Sequence, residues 1–497
     1  MLHWLAYLIL AYIALGAIIY IYGHPRAFIS RKIDALLEDD EDSEKPSIVI
    51  TDSVAGRYAA HAAQMINFMS HRTIQTANKA DWRTRHETLE ELYTDAVRRA
   101  FKDKNFFITT GSPHSRALYL RNFAWFYPTL LDTETILDAD DAKRRIALLA
   151  RSLDIILKSM GSTPYTTTLV PLTPKKFAAV NYVKQPSDSL LGVLAGIETL
   201  LNAGVGRRRE FESLMTQARE QGSKLLSENR EHLINQIDHL IGSLQIFERG
   251  GTVTLLIDRD KEKSSATDTR LEKRRFVTNA NVWTTLNKAA SLGLIGQEEL
   301  NRRLGRSLVE YKNELLDVFG DSGIIINSLE ERKLRAQGVV LDFTHVYDGF
   351  WSFSTEKEIG LFQKTADAVI NDPRFRDDSG NCFFISPINP KINSFERFAV
   401  ASYHGRTVWP AFNVEFADRL MDLSRKIAED RYQKTASAIL KQIESYIVKD
   451  QSYPEALESD GRPYSTWIYR SAKADSWFPR FMSVRAKMLR LNQSGKA

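Results

Sequence analysis

Cysteine is almost missing from this chain: Cys382 is the only one in 497 residues. A single thiol excludes an intrachain disulfide framework and any thiolate metal cluster. With no second signal beside it, Cys382 reads as a packed side chain. The ten histidines show no His-Glu-x-x-His or other paired-ligand spacing, so no metal is expected, and no organic cofactor is called for. Charge of one sign is missing too. The 67 basic and 62 acidic residues leave a net charge of +5, and the two signs are interspersed. Short runs such as 207–209 and 273–275 read as solvated surface, and no nucleic-acid partner follows. No repeat of fixed period is visible, which argues against a solenoid.

Long hydrophobic runs are also scarce, with one exception. Residues 2–22 are almost unbroken apolar, and as a helix they would extend about 30 Å, the thickness of a hydrocarbon core. Trp4 and Tyr22 suit the two interfaces. A cleaved signal peptide would want a basic start and a small-x-small cleavage site, and neither is clear. A retained single-pass membrane anchor over 1–23 is therefore expected. No Lys or Arg precedes the span, while Arg26, Arg31 and Lys32 follow it. The positive-inside rule then puts the body in the cytoplasm, with an extracytoplasmic body as the alternative. Residues 24–52 include the acidic stretch 37–46 and read as a juxtamembrane spacer. The body is 53–497.

Within the body the dominant period is near 3.6. Leu190, Leu191, Leu194, Ile197 and Leu201 form one helical stripe; Leu225, Leu226, Leu233, Ile237, Leu240, Ile241 and Leu244 form another, read as one helix over 225–247. The stretches 359–370, 412–427 and 436–447 repeat the pattern. Strand-like runs are short: 47–50, 106–109, 252–257 and 382–385. The fold class expected is all-α, built from helical hairpins whose loops carry Gly, Pro, Trp and acidic residues. Composition alone does not separate a closed toroid from a bundle.

Two loops draw attention. Residues 403–410 read Tyr-His-Gly-Arg-Thr-Val-Trp-Pro and open a helical run; residues 453–461 read Tyr-Pro-Glu-Ala-Leu-Glu-Ser-Asp-Gly. Aromatic faces stack on sugar rings, and a carboxylate among them can act on a glycosidic bond. Hydrolysis needs an acid for the leaving oxygen and a base or nucleophile near the anomeric carbon. Candidate carboxylates include Glu455, with Glu458 as rival, and Asp258 at the end of the apolar run 252–257, with Asp260 as rival. Each also has an ordinary reading: Asp258 as a strand-end charge, and Glu455 as a carboxylate at a helix start after Pro454. Trp409 equally fits core packing, and His404 a helix cap.

Several stretches, in order, resemble the six-hairpin glycosidases, whose domains are (α/α)6 barrels. The nearest likeness is to the amylo-alpha-1,6-glucosidase domain of glycogen-debranching enzymes. Residues 119–126 look like the family's early sugar-binding loop, and 185–190 like the loop where Ser and Asp open a helix. Residues 254–258 look like the Trp-Met-Asp loop that carries the acid, and 277–283 like an apolar helix start ending in Trp. Residues 403–410 are close to Tyr-His-Asn-Gly-Thr-Val-Trp-Pro, and 453–461 resemble the Pro-Glu-x-x-Asp-Gly loop. Ala474-Asp475-Ser476-Trp477 falls where the family has Gln-Ala-Trp-Ser. The likeness covers roughly 106–481. Departures are the Arg121-Asn122 pair in place of Arg-Asp, Leu256 in place of Trp, Thr278 in place of Glu, and the absent Gln of the last motif.

The resemblance implies an (α/α)6 toroid and a glycoside hydrolase, exo-acting on an α-linked glucosyl or related glycan. It implies Asp258 as general acid and Glu455 as general base, with inversion and carboxyl groups about 6.5–9.5 Å apart. It also implies contacts to an oligo- or polysaccharide from Arg121, Trp125, Asp188, His404, Trp409 and Trp477. The eroded contacts leave a second reading, a catalytically degenerate six-hairpin protein acting as a glycan-binding or scaffold module. A lyase is a third, since Tyr403 and His404 offer a base.

Overall fold

The computed structural model describes residues 47–50, 87–102, 118–119, 129–132, 134–160, 168–173, 176–180, 187–204, 211–257, 274–320, 323–329, 339–344, 349–388, 401–403, 405–451, 453–466, 471 and 477–494. The apolar segment 2–22 lies outside them. Among the described residues no helix is long and apolar enough to cross a membrane.

The described chain is mostly helical, and the all-α expectation is corrected by two small sheets. In the first, β1 (Ser47–Ile50), β2 (Leu118–Tyr119), β3 (Thr168–Thr173) and β4 (Lys176–Val180) are ordered β1-β4-β3-β2. β1 runs parallel to β4, and the other pairs are antiparallel. β1 falls inside the stretch expected to be spacer. The second sheet is a hairpin, β5 (Leu244–Arg249) and β6 (Thr252–Ile257). It turns on Gly250 and Gly251, with φ of +58° and +82°, values that a two-residue turn matched to strand twist requires. This hairpin overturns the single helix expected over 225–247. The helical period breaks at Asn229 and ends at Gly242, and Leu244 and Phe247 are strand residues.

The helices are α1 (Leu89–Lys102), α2 (Ala139–Ser159), α3 (Ser187–Leu201), α4 (Glu212–Glu228), α5 (Arg230–Gly242), α6 (Phe276–Ser291), α7 (Gln297–Leu304), α8 (Leu308–Phe319), α9 (Glu356–Asn371), α10 (Pro410–Ile427), α11 (Asp430–Asp450) and α12 (Phe478–Ser494). Their ends follow from local chemistry. Asp138 caps α2 through Asp141 N, a reciprocal Ser307–Glu310 capping box starts α8, and Thr355 caps α9. Pro410, whose missing N–H would be unsatisfied there anyway, starts α10.

Contacts carry the helices round a closed circuit. The Tyr93 hydroxyl of α1 donates to Thr135 O ahead of α2 at 3.0 Å. α2 packs on α3, and Glu198 of α3 pairs with Lys288 of α6. Each of these two residues lies in the last turn of its helix, so α3 and α6 run parallel and start at the same end. Arg275, just before α6, pairs with Asp342 of the 3-10 turn Leu341–Thr344. Phe343 of that turn meets Phe416 of α10 at 6.2 Å. α12 then closes the circuit. Its Arg480 donates to Glu415 and Asp418 of α10, each at 2.7 Å. Its Arg485 reaches Glu444 of α11 at 2.8 Å and Glu90 of α1 at 3.0 Å, the latter 395 positions away in sequence. Burial alone would raise the Asp418 carboxyl, but the charges of Arg480, Lys487 and Arg419 hold it well below the usual carboxylate range.

Candidate active site

The two loops singled out in the sequence meet. Val408 and Leu457 exchange backbone hydrogen bonds of 3.0 and 2.7 Å, and Phe384 pairs with Val408 from the other side. This short ladder sets the segment before α10 against the segment after α11. At its edge the Tyr403 hydroxyl donates to Glu455 Oε2 at 2.6 Å, a charge-assisted distance. Glu455 is half-buried.

Local chemistry aims Tyr403. Ser402 holds φ +67°, a left-handed conformation that non-glycine residues adopt at a cost. Gly405 N closes the turn onto Ser402 O at 2.8 Å. Tyr403 O accepts from Thr407 Oγ1 at 2.6 Å and from the Trp409 indole at 2.9 Å. Two rings flank the phenol: Trp409 at 4.9 Å, edge-on, and Tyr464 at 5.4 Å. Tyr464 ties the layers together. Its hydroxyl donates to Ala401 O at 2.5 Å, and its N–H to Ala456 O at 2.9 Å. Burial, then the nearby Glu458 charge, pushes its phenol above the usual tyrosine range.

The segment carrying Glu455 is braced from behind. Trp477 donates its indole N–H to Pro454 O at 3.2 Å, and Tyr453 stacks on Phe478 at 4.7 Å. Trp477 is 1% exposed and Trp409 6%. As they stand, both support the loops and offer little ring face to a ligand.

Asp258, with its rival Asp260, lies outside the described residues, as do Arg121, Trp125 and His404. The strand leading to Asp258 is described. Ile257 N donates to Asn279 Oδ1 in the first turn of α6 at 3.1 Å, and Asn279 Nδ2 donates to Arg275 O at 2.8 Å. From there contacts lead to the Glu455 loop. Arg275 meets Asp342; Leu341 N donates to Ile385 O at 2.8 Å, Ile385 N donates to Thr407 O at 3.2 Å, and Val408 joins Leu457. The end of β6, the starts of α6 and α10, and Glu455 are therefore connected at one end of the helices. Asp188 is the second residue of α3, which starts at that same end. Thr278, where the resembled family has Glu, is 2% exposed.

Sequence reasoning missed Tyr464 and the joining of Tyr403 to Glu455. The signal for Tyr464 was an aromatic just past the turn that ends in Gly461.

The protein is a mostly helical chain closed into a circuit of contacts, with a carboxylate held by a phenol at one end. No protein-family model matches the sequence, and no curated protein matches it. Three solved structures similar to this chain share a TM-score of 0.46. One is a metal-independent alpha mannosidase of Streptococcus pneumoniae in complex with alpha-1,6-mannobiose, at 13% identity over 86% of this chain and 98% of that one. Another is a D-mannose isomerase, at 10% identity over 81% and 97%. The third is a GH63 mannosylglycerate hydrolase from Thermus thermophilus, at 10% identity over 80% and 100%.

Proposed function

We propose that this chain is a glycoside hydrolase on an (α/α)6 toroid of six helical hairpins spanning 53–497. Residues 1–23 would anchor it in a membrane, and 24–52, whose β1 strand pairs with β4, would join anchor to body. Glu455 is the general base that activates water, and Asp258 is the general acid, acting with inversion on an α-linked glucosyl or related glycan. Arg121, Trp125, Asp188, His404, Trp409 and Trp477 are the residues proposed to shape its sugar site. The observation that carries the reading is the Tyr403–Glu455 hydrogen bond of 2.6 Å, made where two separate loops converge beside Trp409 and Tyr464. The phenol fixes the direction of one carboxylate oxygen, and a general base must be placed in this way to take a proton from water.

The test is a hydrolysis screen of the full chain against α-linked oligosaccharides, with the anomer first released read by NMR. Release with inverted configuration is expected. Retention would remove the water-activating role from Glu455, and an unsaturated-sugar absorbance would replace hydrolysis with a lyase. Glycan binding without turnover would favour the degenerate module, a reading that draws on the burial of Trp409 and Trp477.

A further inference from the structure

We propose that Tyr446 and Asp377 are positioning residues for Glu455, fixing the turn 458–461 and through it the place of the carboxylate. This rests on the reading of Glu455 as the base. Glu455 sits between anchors: Pro454 O on Trp477, Leu457 on Val408, and then the turn. There Gly461 N donates to Glu458 O at 3.1 Å and Glu458 N to Arg462 O at 2.7 Å. Gly461 has φ +83°, and a Cβ added to it would lie 2.1 Å from Tyr446 Cε1, 2.3 Å from Cδ1 and 2.6 Å from Cζ. The ring of Tyr446, on α11 and 8% exposed, occupies the space a side chain at 461 would need.

The ring is itself held. Its hydroxyl donates to Asp377 Oδ2 at 2.7 Å. The Asp377 carboxylate also takes Ser379 Oγ at 2.8 Å, Cys382 N at 3.1 Å and Asn381 N at 3.2 Å. A second clasp joins the same two turns: Asp378 N donates to Ser459 O at 2.9 Å, and Ser459 Oγ to Asp378 Oδ2 at 3.0 Å. Burial, then the bond to Asp377, pushes the Tyr446 phenol above its ordinary range, so it remains a donor at neutral pH. The turn 377–382 and the end of α11 thus form a seat against which the Glu455 segment is set.

The experiment compares kcat, KM and thermal midpoint of the full chain with Tyr446→Phe, Gly461→Ala, Gly461→Ala/Tyr446→Ala and Glu455→Gln. Misplacing a reacting group by about 1 Å can cost about 100-fold. Gly461→Ala is therefore expected to lose about 100-fold in kcat with KM little changed, and Tyr446→Phe, which keeps the ring, about three- to tenfold. The double variant is expected to be no slower than Gly461→Ala, because the added Cβ then meets no ring; independent effects would multiply. Should Gly461→Ala fail to fold, Tyr446→Phe decides. Wild-type kcat in the folded variants, a loss confined to KM, or multiplying effects would overturn the proposal while Glu455→Gln stays inactive. Wild-type turnover by Glu455→Gln would overturn this proposal and the reading of Glu455 together.

Discussion

Glu358 and Glu455 are both carboxylates drawn into the body of the protein, and their surroundings differ in kind. Glu358, 1% exposed, takes Lys312 Nζ at 3.0 Å, Phe353 N at 2.7 Å and Ser352 Oγ at 3.2 Å. Lys312 also lies over the rings of Trp283 and Phe350, 5.3 and 5.2 Å from their centroids. Burial lowers the Lys312 ammonium, and Glu358 counters it. Glu455 is half-buried and meets a neutral phenol among aromatic rings. Both sites include a non-glycine residue in the left-handed region, Phe353 at φ +51° and Ser402 at φ +67°. Backbone strain therefore does not separate them; an ammonium donates to Glu358 and a phenol to Glu455. A carboxylate matched to an ammonium and backbone amides holds structure. The phenol fixes the direction of one Glu455 oxygen, and general-base chemistry needs its carboxylate placed within reach of the proton it takes.

The contrast can be broken at either end. The largest effect expected is at the structural glutamate. Glu358→Ala leaves the Lys312 charge buried without its carboxylate, a loss of about 3–5 kcal/mol that thermal or denaturant unfolding would read. Turnover per folded molecule should stay the same; a loss of turnover with stability intact would reverse the roles of the two glutamates. Next is Tyr403→Phe, expected to lower kcat about tenfold, equivalent to about 1.4 kcal/mol, by freeing the Glu455 oxygen. Its thermal midpoint should move little, and an unchanged kcat would show that the hydrogen bond does not serve the reaction. Smallest is Ser402→Gly, which relieves a left-handed cost of about 1 kcal/mol and adds a similar entropic one. Stability and kcat should both hold, and a large change in either would mean that the Ser402 side chain matters.

Much of the helical framework was legible, because its signal is local. The stripe from Leu190 to Leu201 is α3, and the periods over 359–370, 412–427 and 436–447 fall inside α9, α10 and α11. The hairpin at 244–257 was misread in part because Leu244 and Phe247 continue a helical stripe. The Gly250-Gly251 pair was the signal that two strands meet there. The convergence of 403–410 with 453–461 was anticipated through their resemblance to loops of one family's sugar pocket. The hydrogen bond from Tyr403 to Glu455 was not, since it depends on the left-handed turn at Ser402 and on pairing between segments about 50 positions apart. The family resemblance implies a sugar contact at Trp477, whereas its depth against Pro454 is a tertiary fact with no local signature.

The most direct test of the central claim is the turnover of Glu455→Gln on whichever glycan the wild-type chain cleaves fastest. Glutamine keeps the shape and an acceptor for Tyr403 but cannot take a proton from water. The account predicts a fall in kcat of about 100- to 10,000-fold with the thermal midpoint unchanged. Turnover equal to wild type would contradict it.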